Sequence, residues 1–258
     1  MTDYSDMSVR FAGSVRLFGT DGFNRLKQAH VGVIGVGGVG SWAVETLARS
    51  GIGRLTLIDG DVVVESNINR QLQALSDTLG KAKVSVLAER IAGINPLCKV
   101  DAVRLFLTSG NIGELVGKNR FDFVIDAIDS VKDKAALIAY CRDHAIPLIT
   151  VGSAGGQLDP TRIDICDLSR TQQEPLLAKV RKRLRSQYGF TRNPKNKFGI
   201  DAVYSLEPVR YPDLRDDNER GSGVIAGLNP AGFGTTMAVT ASFGLAAASY
   251  VLKRIAAV

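Results

Sequence analysis

The chain has 258 residues, 45% of them hydrophobic, and a formal net charge of +6. That allows a sizeable core in one large α/β domain, or in one domain with an appendage, and the positive excess points toward an acidic partner. Cys98, Cys141 and Cys166 stand far apart with no CxxC pair, which argues against a structural zinc site and against a disulfide framework and suits a reducing compartment.

The opening residues MTDYSDMSVRF lack the apolar core of a secretory signal, so the expected location is the cytoplasm. Residues 1–28 read as a helical arm. Residues 31–34 are an apolar run with the look of a buried parallel strand. That run feeds into Gly35, Gly37, Gly38 and Gly40, and Ser41 then opens a helix. Strand, glycine loop and helix start together make an anion site, because the backbone can approach a phosphate and the first helical N–H groups point at it. Ala43, Val44, Leu47 and Ala48 mark one face of the helix, which ends at Gly51 and Gly53. Residues 54–59 are a second strand, completing a βαβ unit.

Asp59 ends that strand, where an acid in a dinucleotide-binding fold bonds the ribose hydroxyls; capping a loop is the plainer alternative. The loop 60–71 is polar and carries Asp61, Asn67 and Arg70. The spacing predicts helices over 80–95, 111–117 and 131–144, and strands over 99–106, 121–129 and 147–151. The alternation implies a Rossmann-like, doubly wound, mostly parallel sheet with its ligand at the strand C-termini.

After Gly152 the rhythm changes. Strands are expected over 161–167 and 201–211, a helix over 174–188 and a charged loop over 213–223, a C-terminal extension of antiparallel strands and helices. Three segments result: an arm (1–28), a nucleotide-binding core (29–152) and a substrate-binding or dimerisation extension (153–258) on the same sheet. Between Pro175 and Ile200 stand eight Lys or Arg residues and no acid. With Leu176, Val180, Leu184 and Tyr188 on one face, the cations fan across the other. That arrangement suits tracking a phosphate backbone, with Tyr188 and Phe190 for stacking, although a solvated face is the ordinary explanation. Residues 231–252 are uncharged and long enough to span a bilayer, but their Gly, Ala, Ser and Thr content reads as a buried helix, at a dimer interface, rather than a membrane span.

Arg70 and Lys83 do not suit hydride transfer. Two cations soon after the ribose acid fit a triphosphate, which needs its charge neutralised, and Asn67 is placed to orient it. Asp126 and Asp129 end a core strand that opens onto the same crevice. One could hold Mg²⁺ between phosphate oxygens, and the other is the expected N-cap of the next helix.

The ordered motifs GVGGVGS, LIDGD, SNINRQ, GKAKV and DAIDS resemble the adenylating domain of the ubiquitin-activating superfamily over residues 11–151. The resemblance implies that Gly35, Gly37, Gly38, Gly40 and Ser41 bind phosphate and Asp59 the ribose, with Asp61 also among the ATP-binding residues. It implies that Asn67, Arg70 and Lys83 hold the triphosphate and that Asp129 holds magnesium, making Arg70, Lys83 and Asp129 the catalytic set. The features RFAGSVRLFG, DAIDSVKDKAALIAYC, VGSAGGQLDPTRI, the basic helix and GFGTTMAVTASFG are similar to the branch that dehydrates threonylcarbamoyladenosine in tRNA. That branch uses ATP to activate the threonyl carboxylate beside the anticodon, and a ring closes with net loss of water. On this reading Lys179, Arg181, Lys182, Arg183 and Arg185 bind tRNA, the enzyme is a homodimer, and a cysteine desulfurase or sulfur-acceptor system is a candidate partner. Two departures stand out. Gly13 occupies the place of an arginine that relatives supply from a partner subunit, leaving Arg10 and Arg16 as candidates. Leu228, Asn229 and Pro230 stand where some relatives have a cysteine. Cys141 and Cys166 read as small core residues. The alternative is an adenylating enzyme for a ubiquitin-like sulfur carrier, and a nicotinamide dehydrogenase or non-catalytic Rossmann module is the third class.

Overall fold

The computed structural model describes residues 7–211 and 233–257. Its centre is a seven-stranded sheet of β1 (His30–Ile34), β2 (Arg54–Ile58), β3 (Lys99–Val103), β4 (Phe123–Asp126), β5 (Leu148–Val151), β6 (Ile163–Asp167) and β7 (Asp201–Ser205), in the order β3-β2-β1-β4-β5-β7-β6. All neighbours run parallel except β6, which pairs antiparallel with β7 along the edge. Every residue of β1, β4 and β5 is buried, as strands covered on both faces must be, which is why they are nearly unbroken apolar runs. The strand order reverses between β1 and β4. Ile34 lies level with Ile58 on one side and Asp126 on the other, so three strand ends and their loops open a crevice at one point.

The helices divide between the two faces. On one lie α2 (Ala12–Gln28), α3 (Gly40–Arg49), α4 (Lys83–Ile94) and α7 (Met237–Ala256); on the other lie α5 (Val131–Asp143) and α6 (Pro175–Gln187). A short α1 (Met7–Arg10) precedes α2, which is broken at Gly19, where φ is +70°. The uncharged tail becomes α7, which buries Val239, Phe243, Ala247 and Val251 against α3 and the sheet. Its small residues permit close approach: a β-carbon at Gly244 would stand 2.4 Å from the Val39 carbonyl oxygen at the start of α3. Lys253 and Arg254 fall in its last turn, beside the negative end of the helix dipole. No helix among the described residues is long and apolar enough to cross a membrane.

Several strands end earlier than the sequence predicts. β3 stops at Val103, β4 at Asp126 and β7 at Ser205, each at the crevice end of the sheet. At β4 the cause is a side chain: Asp126 Oδ1 accepts the Ile128 N–H at 3.1 Å and turns the backbone out of the ladder. In α6 the inward residues are Leu177, Val180 and Leu184, with Leu176 half-buried, because Glu174 caps the helix and Pro175 starts it. The predicted charged loop 213–223 and the departure at 228–230 lie outside the described residues.

Candidate active site

The glycine loop is held by contacts a side chain would forbid. Gly35 has φ +83° and packs against the Ala127 carbonyl, where a β-carbon would sit 2.8 Å from the oxygen. A β-carbon at Gly40 would lie 1.9 Å from the Gly35 oxygen, so Gly40 closes helix against strand and does not line the cavity. Ser41 is also turned away: it is fully buried, and its Oγ accepts the Leu72 N–H at 3.3 Å. Gly37, Gly38 and Val39 do face the cavity, and their N–H groups have no protein acceptor among the described residues. This is the donor set an anion would use. Asp59 takes the plainer role beside any ligand role, its two oxygens accepting the Val36 N–H at 2.8 Å and the Asp61 N–H at 2.9 Å. It therefore joins the tip of β2 to the glycine loop at the cavity wall.

The two predicted cations both line this cavity. Lys83 lies at the start of α4 with 6% of its side chain exposed, and its Nζ bonds Asp61 Oδ2 at 2.8 Å; Asp61 is 52% exposed. Arg70 packs its Cγ and Cδ over Gly38, and its Nη1 donates to the Ser66 carbonyl at 2.7 Å and to Asn69 Oδ1 at 2.9 Å. Trp42 Nε1 holds the Arg70 carbonyl at 3.0 Å, a positioning contact that the pattern of residues did not disclose. Asn67 lines the cavity but is buried, with Oδ1 capping its own turn through the Val64 N–H at 3.2 Å.

At the end of β4 the two acids part company. Asp126 is fully buried and paired with fully buried Lys134 at 2.9 Å, and it also accepts from Thr150 Oγ1 at 2.7 Å. Neither acid caps α5; the cap is Ser130, whose Oγ accepts the Asp133 N–H at 3.4 Å. Asp129 is exposed at the cavity wall, and its carboxylate has no protein partner among the described residues. Of the cavity's other carboxylates, Asp59 holds backbone, Asp61 holds Lys83, and Asp133 Oδ2 accepts from Ser130 at 2.7 Å. Asp129 alone is uncommitted. Among the described residues no three His, Cys, Asp or Glu side chains gather to hold a metal, so a magnesium ion here would need phosphate oxygens as co-ligands, which is how that ion is ordinarily bound.

The cavity has a volume of about 440 Å³, within the usual range for a nucleotide-sized ligand. Two of its walls were not legible. Phe106, read as a strand end, folds over Gly60, where a β-carbon would stand 2.6 Å from its ring. Ser153 ends the opposite wall and is held by Glu174, which accepts its N–H at 2.8 Å while capping α6. Burial raises the Glu174 pKa, only partly opposed by hydrogen bonds from Leu177, Ser153 and Leu176.

The basic helix is less open than its sequence implies. Lys179 and Lys182 are exposed, whereas Arg181, Arg183 and Arg185 are half-buried. Arg181 donates to Thr171 Oγ1; Arg185 donates to the Thr191 carbonyl at 3.3 Å and lies 5.1 Å from the Phe198 ring centre. Phe190 is buried against Phe198 under the Arg142 guanidinium and is closed to a base. In the arm, Arg10 donates to the Ile94 carbonyl at 2.7 Å, capping α4 of its own chain, while Arg16 is exposed. Burial pushes the Cys98 and Cys141 thiols up to about 12 and raises Cys166 as well, so none is a ready thiolate.

A doubly wound sheet whose switch-point cavity joins a glycine loop to Arg70, Lys83 and Asp129 defines a nucleotide-dependent class, and the chain belongs to the ThiF family, matched over residues 11–257. Over 256 residues it is 52% identical to the tRNA threonylcarbamoyladenosine dehydratase of Haemophilus influenzae, covering 99% of this chain and 96% of that one. The crystal structure of the E. coli tRNA N6-threonylcarbamoyladenosine dehydratase in complex with ATP superposes with a TM-score of 0.87 at 48% identity, covering 97% of this chain and 95% of that one. The same enzyme in complex with AMP gives a TM-score of 0.88 at the same identity and coverage.

Proposed function

We propose that this chain is an ATP-dependent tRNA threonylcarbamoyladenosine dehydratase. The observation that carries the reading is the convergence of free glycine-loop N–H groups with Arg70, Lys83 and uncommitted Asp129 in one cavity, in a chain 48% identical along nearly its whole length to an enzyme bound to ATP. A threonyl carboxylate oxygen attacks the α-phosphorus, and pyrophosphate leaves. The carbamoyl group then attacks the acyl carbon, and AMP leaves with one carboxylate oxygen. The net loss from the nucleoside is one water. Adenylation is needed because hydroxide is a poor leaving group and AMP a good one.

Each residue has a task in that scheme. The N–H groups of Gly37, Gly38 and Val39 cradle phosphate, and Arg70 and Lys83 offset the charge that builds on the phosphates as the carboxylate attacks. Asp61 holds the Lys83 ammonium at the cavity edge, and Phe106 covers the nucleotide side and limits water. Asp129 is the residue to hold Mg²⁺, which when bound would neutralise phosphate oxygens. Gly40, Ser41, Asn67 and Asp59 shape the loop around the ligand. We read residues 1–28 as an arm, 29–152 as the ATP-binding core and 153–258 as the substrate-binding extension. We read the chain as a homodimer in which exposed Arg16 is the candidate to reach a partner's ATP, and a tRNA substrate supports a cytoplasmic location. The lack of a CxxC pair and the one-signed helix α6 disfavour a carrier-protein substrate.

The test is incubation with ATP, Mg²⁺ and tRNA bearing threonylcarbamoyladenosine, followed by nucleoside mass spectrometry. Loss of one water, dependent on ATP, is expected. An unaltered nucleoside would reject the reading.

A further inference from the structure

Beside the main cavity lies a second, smaller cleft. It shares Asp129, Ser153 and Leu176 with the main cavity and adds Val209 and Phe233. The cleft has room for about a water or a methyl group, about 20 Å³, so it cannot swallow a base. At its rim, however, the Tyr211 and Phe233 rings meet edge to face at 5.4 Å between centroids, and Tyr211 is 72% exposed.

The rim is built in place by backbone. Gly156 donates to the Gly234 carbonyl at 2.9 Å and accepts from the Arg210 N–H at 2.8 Å, which fixes both aromatic segments to the loop after β5. Asn69 Nδ2 donates to the Thr235 carbonyl at 3.1 Å and ties the same segment to the neighbour of Arg70. A β-carbon at Gly155 would stand 3.0 Å from the Phe233 β-carbon, so only glycine leaves the ring where it is. An exposed tyrosine whose neighbour Arg210 is tied to Gly156 and whose ring packs on Phe233, beside the main cavity, is placed to receive something flat.

The direction of α6 says what that is. Leu176 floors the cleft, and exposed Lys179 and Lys182 follow at successive three-residue steps along one side of the helix, spanning about 9 Å. A nucleic acid whose base lies on the rim thus runs its phosphates past two cations. From this juxtaposition we infer that Tyr211 and Phe233 form the stacking platform for the extruded, modified adenine of tRNA. The threonylcarbamoyl arm reaches across Ser153 toward Asp129, and Leu176 and Val209 take its methyl group. The platform makes these residues specificity determinants, and the inference rests on the function proposed above. Single-stranded bases are commonly read on aromatic side chains in this way.

The test uses the full chain. Tyr211→Ser, at an exposed position, and Phe233→Leu are each expected to lower kcat/KM for modified tRNA by ten- to hundredfold, the range of a lost stacking contact, mainly through KM. ATP affinity stays unchanged, and Tyr211→Trp retains activity. The introduced tryptophan should lose fluorescence on binding modified tRNA. Wild-type kinetics in both Tyr211→Ser and Phe233→Leu, or an unquenched Tyr211→Trp on binding modified tRNA, would overturn the platform and leave the proposed function standing. Failure of the wild type to dehydrate modified tRNA would remove both.

Discussion

Two lysine–aspartate pairs of almost the same length serve opposite ends. Lys134 and Asp126 meet at 2.9 Å with neither side chain exposed, whereas Lys83 and Asp61 meet at 2.8 Å with the acid half in solvent. The sealed pair also binds Thr150 Oγ1 and the Asp126 carbonyl, so every charge there is answered within the protein. The open pair lines the cavity. Burial of both partners makes a support; burial of one leaves a charged pair at the cavity wall. The sealed pair holds the turn that carries Ala127 and Asp129, so the support stands directly under the cavity wall.

The largest effect should come from breaking the sealed pair. Lys134→Met leaves the Asp126 carboxylate buried without its cation and should cost about 3–5 kcal/mol, read as a fall in the urea midpoint. The double variant Lys134→Met, Asp126→Asn should recover much of that loss, since the charge is then gone; no recovery would mean that the pair supplies more than neutralisation. Next, Lys83→Ala or Arg70→Ala should lower the rate of dehydration about 10²–10³-fold while thermal stability changes little, because these cations act on a ligand. Unaltered turnover in either would remove the triphosphate assignment. Smaller again, Lys179→Glu with Lys182→Glu should weaken tRNA binding about tenfold, increasingly at low salt, and leave ATP binding alone. The smallest effect is at His30, far from both pairs, whose Nε2 bonds Thr56 Oγ1 at 2.8 Å. Burial, then Arg54, lowers its pKa below the ordinary 6.5. The unfolded chain therefore binds the proton more readily, so its stabilising effect is complete above pH 6.5 and is lost as pH falls below it. A Tm series from pH 7.5 to 5.5 should fall more steeply for the wild type than for His30→Gln.

The comparison also explains what the sequence disclosed. The glycine loop was legible because an unbroken apolar strand running into Gly35, Gly37 and Gly38 has few other uses. Lys83 and Arg70 were legible only with the motifs around them. Lys134 was invisible: it sits two residues from Lys132 and reads as an ordinary solvated charge, and only the early end of β4 puts Asp126 beside it. Arg181 and Arg185 erred the other way, since what occupies them, the Thr171 hydroxyl and the Thr191 carbonyl, carries no charge signal. The end of β4 was missed because the Asp126 side chain pulls the backbone from the ladder at the cavity wall.

Whether this cavity activates a carboxylate at the α-phosphorus is read by labelling the threonyl carboxylate of the modified tRNA with ¹⁸O and analysing the products of a single turnover with ATP. Attack at the α-phosphorus puts one labelled oxygen in AMP and leaves pyrophosphate unlabelled. Label appearing in inorganic phosphate, with ADP as the nucleotide product, or released as water with AMP unlabelled, would contradict it.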